Sequence, residues 1–426
     1  MPRVAFLSHS PCSPPLSLWP HRHTLSLIPF NPPALGANEV FVDVKYCGMC
    51  HSDIHKVEND WKDAVSYPMV PGHEVVGVVL AIGAAVTSIA VGQTVGFGPQ
   101  RESCASCEYC SDGLENACKD FKGLYDPHFG GYATSITVHE RFTFPIPAGI
   151  PLEVAGPLLC AGITTYAPLK RHAKAGDKVG IVGIGGLGHM GLQYARAMGC
   201  NVVAITTSAA KEAEALKFGA NSVLVSSDPA AMKAHARSFD FILCTASGKM
   251  AVDAYMALLK PRTSFCLVGL PAVDQPLEFR PFDIVGGEKQ IVGSMIGGVP
   301  AMKEMLAFSA AHKCFPQCEV IPFAKAQEGF EKILANSARY RMVLDMNGAQ
   351  RRRWGRRRAR ARAACQPPLS RTLIPPHASL FPCRLSRGAG RRPVGGLPVG
   401  GRCSGAGRAS LERGDPQREC CSSAKQ

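Results

Sequence analysis

A strand that runs into a glycine turn and then a helix constrains this chain more than any other stretch. Residues 178–182, Lys-Val-Gly-Ile-Val, read as a buried strand, and Gly183, Gly185 and Gly188 follow with Gly186 and Leu187 between them. The pattern predicts helices over 189–198, 211–218 and 251–259, and strands over 202–205, 239–243 and 264–268. Strand–helix alternation of this kind implies a parallel, doubly wound sheet, the α/β class. A glycine turn that opens a helix inside such a unit aims backbone N–H groups at a pyrophosphate. Gly183, Gly185, Gly186, Leu187 and Gly188 are therefore candidate dinucleotide-binding residues. NAD-binding chains place Asp or Glu about twenty residues further on, against the ribose 2′-hydroxyl. Here the strand ends Thr206-Thr207-Ser208, Lys211 follows, and no acid stands in the expected place. Hydroxyls and a lysine suit a 2′-phosphate, so Thr207, Ser208 and Lys211 point to NADP(H). The alternative is that Thr207 and Ser208 cap the next helix.

On either side the pattern changes. Residues 40–46 alternate like a strand, 75–82 form a β-branched run punctuated by Gly77 and Gly83, and 91–96 make another strand and turn. Short strands between glycine turns suggest a partly β, barrel-like domain. A helix near 302–308 and a strand over 340–346 follow Met295. The organisation expected is an irregular N-terminus over 1–29, a partly β domain over 30–155, a nucleotide-binding domain over 156–295, a return segment over 296–348 and a disordered Arg-rich tail over 349–426.

The net charge of +14 invites a nucleic-acid reading, but residues 349–426 hold 17 Arg and one Lys against three acids, so residues 1–348 sum to −1. Basicity belongs to the tail, which has little to bury and could attract nucleic acid only by non-specific charge. Residues 1–29 contain no Asp or Glu, as an organelle transit peptide would, but Pro11, Pro14, Pro15 and Pro20 spoil an amphipathic helix. An unstructured N-terminus and a cytoplasmic protein are expected, with an organellar address as the alternative. No apolar run reaches the ~20 residues of a membrane span, and no secretory signal pattern is present.

Of the 18 cysteines only Cys104, Cys107, Cys110 and Cys118 cluster tightly. Thiolates every third residue in a loop suit a closed, structural zinc site better than disulfides. A second centre is read from Cys50, His73 and Cys160. Two thiolates and an imidazole can hold one zinc ion and leave a position open for catalysis. Cys50 is preferred to Cys47 because Ser52 and His55 follow it where a proton path is needed, and Cys47 is then an ordinary buried thiol. Glu74 beside His73, with glycines on both sides, raises the histidine above a packing role.

With these residues assembled, the chain resembles the zinc-dependent medium-chain alcohol dehydrogenases, and within them the cinnamyl-alcohol-dehydrogenase-like aldehyde reductases. The matching text is Cys47-Gly48-Met49-Cys50-His51-Ser52-Asp53, Tyr67-Pro68-Met69-Val70-Pro71-Gly72-His73-Glu74, the four-cysteine lobe, Pro157-Leu158-Leu159-Cys160-Ala161-Gly162, Gly185-Gly186-Leu187-Gly188-His189-Met190-Gly191 and Ile291-Val292-Gly293-Ser294. The resemblance implies a GroES-like catalytic domain split around a Rossmann domain, two zinc ions per subunit, and a homodimer joined edge to edge. It also implies that Cys50, His73 and Cys160 bind the catalytic zinc and that Glu74 can approach it. Ser52 and His55 would pass a proton by way of the cofactor ribose. The reaction implied is reduction of an aldehyde by NADPH, with an NAD-dependent polyol or sugar dehydrogenase as the alternative and a nucleic-acid-binding protein as a remote third. Trp61, Phe97 and Met295 are candidate pocket residues. Three departures stand out: Pro-rich text replaces the family's first strand, which would leave an edge unpaired; the chain continues past Ala349; and Arg262 occupies a turn where the family has glycine.

Overall fold

The computed structural model describes residues 3–8, 24–29, 34–62, 67, 69–125 and 129–347. The Arg-rich tail and most of the Pro-rich text of the first 29 residues lie outside them.

The strand Glu39–Met49 organises the catalytic lobe. It pairs antiparallel with Glu74–Ile82 along one side and with Ser135–His139 and Arg341–Asp345 along the other. The sheet order runs Cys318–Pro322, Arg341–Asp345, Glu39–Met49, Glu74–Ile82, Thr94–Phe97, Phe144–Pro145. Val40, Val42 and Val44 are fully buried on one face of the central strand, as its period of two requires. Register brings Gly48 opposite Glu74 and Cys47 opposite Val75, so the end of one strand and the start of the next deliver Cys50 and His73 to one place.

The nucleotide lobe is a parallel sheet in the order Ser222–Val225, Asn201–Thr206, Lys178–Val182, Phe239–Cys244, Leu259–Leu267, Gln290–Gly293. The chain builds outward from Lys178–Val182 and then switches to its other side. A crevice for ligand opens at such a switch point, beyond the carboxyl ends of the strands. Thr245 donates through Oγ1 to the carbonyls of Val182 and Gly183 there, at 2.9 and 2.7 Å.

One helical stretch, Leu152–His172, joins the lobes. By length and composition it could cross a membrane, but 83% of its apolar window is buried inside the protein. Its middle, Leu158–Gly162, widens into a π turn, a local form frequent at functional sites. Gly156 lets it approach closely: a Cβ there would lie 2.6 Å from the carbonyl oxygen of Glu74.

The N-terminus corrects one expectation. Arg3–Ser8 and Thr24–Pro29 form an antiparallel pair where no regular structure was expected. Leu25 donates its N–H to Gln327 at 3.0 Å and packs against the catalytic-lobe core. The alternation of Leu25 and Leu27 is the strand signal, and the prolines around it mask it.

Candidate active site

Cys50 is the N-cap of the helix His51–Glu58, immediately after the central strand. Gly72 takes φ +102, and a Cβ there would collide with Tyr132, so glycine is required to turn His73 inward. Cys160 sits in the π turn. The ligand atoms of Cys50, His73, Glu74 and Cys160 all lie within 4.8 Å of one another, and all four residues are buried. His73 Nε2 is 3.2 Å from Cys160 Sγ and 3.9 Å from Glu74 Oε1.

Asp53 organises this cluster and was not singled out from sequence, although it stands in the quoted Cys50 motif. It is fully buried. Its Oδ1 accepts from Gly72 N at 2.9 Å, from His73 Nδ1 at 2.9 Å and from the Tyr125 hydroxyl at 2.5 Å. Its Oδ2 accepts from Cys50 N at 3.0 Å and from the Tyr132 hydroxyl at 3.2 Å. Because His73 Nδ1–H donates to Asp53, Nε2 is the ring nitrogen left to face the thiols and to bind a metal once its proton is lost. Although burial favours the neutral ring, the Asp53 charge pushes His73 well above its ordinary pKa. The neighbouring Cys160 thiol, then Arg341 and His73, hold the Cys50 thiol well below its ordinary pKa against burial, while Cys50 and burial push Cys160 up.

Arg341 was read only as part of a strand. It donates through Nη2 to Oε1 of Glu74. Burial lifts the Glu74 carboxyl to about 7 against the pull of this guanidinium. On its other side a Cβ on Gly186 would lie 2.7 Å from Arg341 Nη1. One guanidinium therefore spans the cluster and the glycine turn. A charged residue at an inward strand position was the available signal.

Ser52 and His55, three apart, share one face of their helix. His55 Nδ1 pairs with Asp60 Oδ2 at 2.7 Å, a partner the sequence reading missed. Trp61 lies beside His55, ring centroids 5.1 Å apart. Phe97 is fully buried, whereas Met295 is half exposed. Cys47 is a buried thiol whose pKa burial pushes up, as expected of a packing residue.

The four cysteines of the lobe come together, their sulfurs within 4.8 Å of one another. The sulfurs of Cys118 and Cys104 are 3.5 Å apart, Cys107 and Cys118 3.8 Å, and Cys104 and Cys110 3.9 Å. Metal–sulfur bonds of about 2.3 Å give a tetrahedron with edges of about 3.8 Å, so the lobe fits a zinc ion. Every described cysteine is a free thiol. Backbone N–H groups of Ser106 and Cys107 lower the Cys104 thiol to about 6, which favours the ligating thiolate.

In the glycine turn each residue has a distinct reason. Gly183 takes φ +85, a Cβ on Gly188 would collide with the Gly183 carbonyl, and Gly185 faces open space. The second glycine thus leaves the approach that a pyrophosphate needs. Leu187 is the helix N-cap residue. Lys211 Nζ donates to the Ile184 carbonyl at 2.9 Å and so lies against the turn. Thr207 and Ser208 are exposed. Ser208 accepts from Ala210 N at 3.2 Å, the capping role weighed as the alternative. Among the described residues, the buried side-chain atoms that lack a hydrogen-bond partner include Glu74 Oε2 and Arg341 Nε. Glu74 Oε2 lies against Gly48 while Oε1 is the oxygen nearest His73, and the Arg341 guanidinium reaches the turn, so with the four clustered ligand atoms the residues present fit a metal and an anionic cofactor. A cleft of about 770 Å³ between the cysteine lobe and the helix Val299–His312 holds none of Cys50, His73, Glu74 or Cys160.

Comparison with known proteins agrees with this geometry. An alcohol dehydrogenase GroES-like domain matches residues 36–148, and a zinc-binding dehydrogenase domain matches residues 186–311. The probable formaldehyde dehydrogenase AdhA of Bacillus subtilis is 44% identical over 324 residues, 74% of this chain and 91% of that protein. This chain is a zinc-type medium-chain alcohol dehydrogenase by family. Among other members of the family, aldehyde reductase YahK of Escherichia coli is 44% identical over 320 residues, 73% of this chain and 91% of its own length. Among solved dehydrogenases, a cinnamyl alcohol dehydrogenase from Sorghum bicolor superposes with TM-score 0.73 at 39% identity, covering 76% of this chain and 95% of that one. The cinnamyl alcohol dehydrogenase of Helicobacter pylori, complexed with NADP(H), gives TM-score 0.73 at 33% identity over 81% of this chain and 98% of that one.

Proposed function

We propose that this dehydrogenase interconverts aldehydes and primary alcohols with NADP(H), working as an aldehyde reductase, with one zinc ion at Cys50, His73 and Cys160 and another in the four-cysteine lobe. The observation that carries the reading is Arg341, which touches Glu74 in the metal cluster and Gly186 in the glycine turn. NADP(H) rather than NAD(H) is supported by Lys211 against the turn, by the absence of an acid from 206 to 211, and by the NADP(H) complex of the Helicobacter pylori relative.

When bound, zinc supplies a Lewis acid and NADPH a hydride. The chain's residues do the rest. Asp53 fixes the His73 tautomer that leaves Nε2 to bind. Arg341 holds Glu74 beside the open position and keeps its buried charge balanced. In reduction His55, oriented by Asp60, takes a proton from solvent and passes it inward, and Ser52 presents the hydroxyl that delivers it to the substrate oxygen. Phe279, Phe282 and Val285, in the segment that leads into the edge strand Gln290–Gly293, are exposed, an apolar surface that a second copy of the chain would cover.

Turnover of an aldehyde panel with NADPH and with NADH tests the reading. Reduction with NADPH well ahead of NADH is expected. Preference for NADH, or oxidation of polyols alone, would overturn it. Cys50→Ser and His73→Ala should abolish turnover, and near-normal activity in either refutes the ligand assignment. Light scattering should give twice the monomer mass, and Phe282→Asp should return it to monomer; a monomeric parent sinks the dimer.

A further inference from the structure

We propose that the Tyr125 hydroxyl is a positioning group for the catalytic metal, holding the His73 ring so that zinc is retained. The proposal rests on the reading that Cys50, His73 and Cys160 bind zinc. Tyr125 follows the short strand Lys122–Gly123, in a stretch that no sequence pattern marked. Its hydroxyl donates to Asp53 Oδ1 at 2.5 Å and also lies within hydrogen-bond reach of His73 Nδ1. Its ring meets the imidazole edge-on, centroids 5.7 Å apart at 67°. Tyr132 reaches the same carboxylate at 3.2 Å, but on Oδ2, the oxygen that does not bond His73.

The geometry separates two jobs. Both tyrosines solvate a buried carboxylate. Tyr125 alone also meets the proton that His73 gives to Asp53, so Nδ1–H has two oxygens to hold it rather than one. Fixing that bond fixes the plane of the ring and the aim of Nε2. Groups that orient a metal-binding histidine in this way typically change metal affinity about ten- to a hundredfold when removed.

Zinc-loaded protein is mixed with excess chromogenic chelator and release is followed. Two phases are expected, and the phase missing in Cys160→Ser belongs to the three-residue site. In Tyr125→Phe that phase should quicken about ten- to a hundredfold, while the four-cysteine phase keeps its rate. Tyr132→Phe should leave both phases near the parent rate. Equal release in Tyr125→Phe and parent overturns the proposal. So does quickening of both phases together, which reports loosening of the fold, or an effect of Tyr132→Phe as large as that of Tyr125→Phe. A parent protein with no phase that Cys160→Ser removes overturns the zinc reading itself and the proposal with it.

Discussion

Arg341 donates to Glu74 across 267 residues of sequence, and both side chains are shut away from solvent. Buried pairs of this kind are costly to break from one side, because the remaining charge keeps its desolvation without its partner. Arg341→Met should therefore destabilise the protein by about 3–5 kcal/mol. Adding Glu74→Gln should recover part of that loss, because the stranded charge is gone. Urea unfolding of the two single variants and the double variant checks this, and strictly additive costs would show that the pair is not coupled.

The cysteine lobe is expected to contribute stability and no chemistry. A metal present at a hundred times its Kd contributes about 2.7 kcal/mol. Cys107→Ser should remove one zinc ion per chain and lower Tm by roughly 4 °C, leaving the Michaelis constant for NADPH near its parent value. Elemental analysis with a thermal melt decides, and an unchanged zinc content would rule the site out.

Arg262 takes φ 63, in the left-handed region, but it lies at an irregularity within the strand Leu259–Leu267 and not at the turn expected from sequence. A side chain there costs about 1 kcal/mol. Its ion pair with Glu288, 3.2 Å between largely exposed side chains, returns little. Arg262→Gly should raise stability by roughly 0.5–1 kcal/mol, read as a higher urea midpoint. A lower midpoint would mean the ion pair outweighs the strain.

His189 links stability to pH. Its Nδ1 lies 3.1 Å from the Gly185 carbonyl, and Gln317 N donates to its Nε2 at 3.2 Å. A carbonyl can only accept and an N–H only donate, so the folded ring is neutral. Burial lowers its pKa to about 3, against about 6.5 in the unfolded chain. The depressed value means its contribution is intact above about pH 6.5 and is lost as pH falls toward 3, by about 1.4 kcal/mol per unit. Between pH 7 and 5 the parent should lose about 2 kcal/mol more than His189→Gln. Equal losses in the two proteins would show that His189 is not the group responsible.

Much of the nucleotide lobe was legible because its signals are local. The strand Lys178–Val182 and the glycines that follow lie within one turn of chain, and the structure reproduces them in order. The four thiols close over a short loop for the same reason. The strand Thr24–Pro29 was missed because a two-residue period among prolines carries little signal, and it is set by pairing with Arg3–Ser8.

From the sequence alone came the identities of the thiols, the imidazole and the glycines, since spacing within a loop or turn limits what those residues can reach. Tertiary structure alone decided how they work together. Tyr125, Asp53 and His73 meet only after the central sheet forms. Arg341 comes to Glu74 because the last described strand pairs beside the first long one. A buried charge finds its partner through the register of distant strands, and no local pattern in the chain encodes that register.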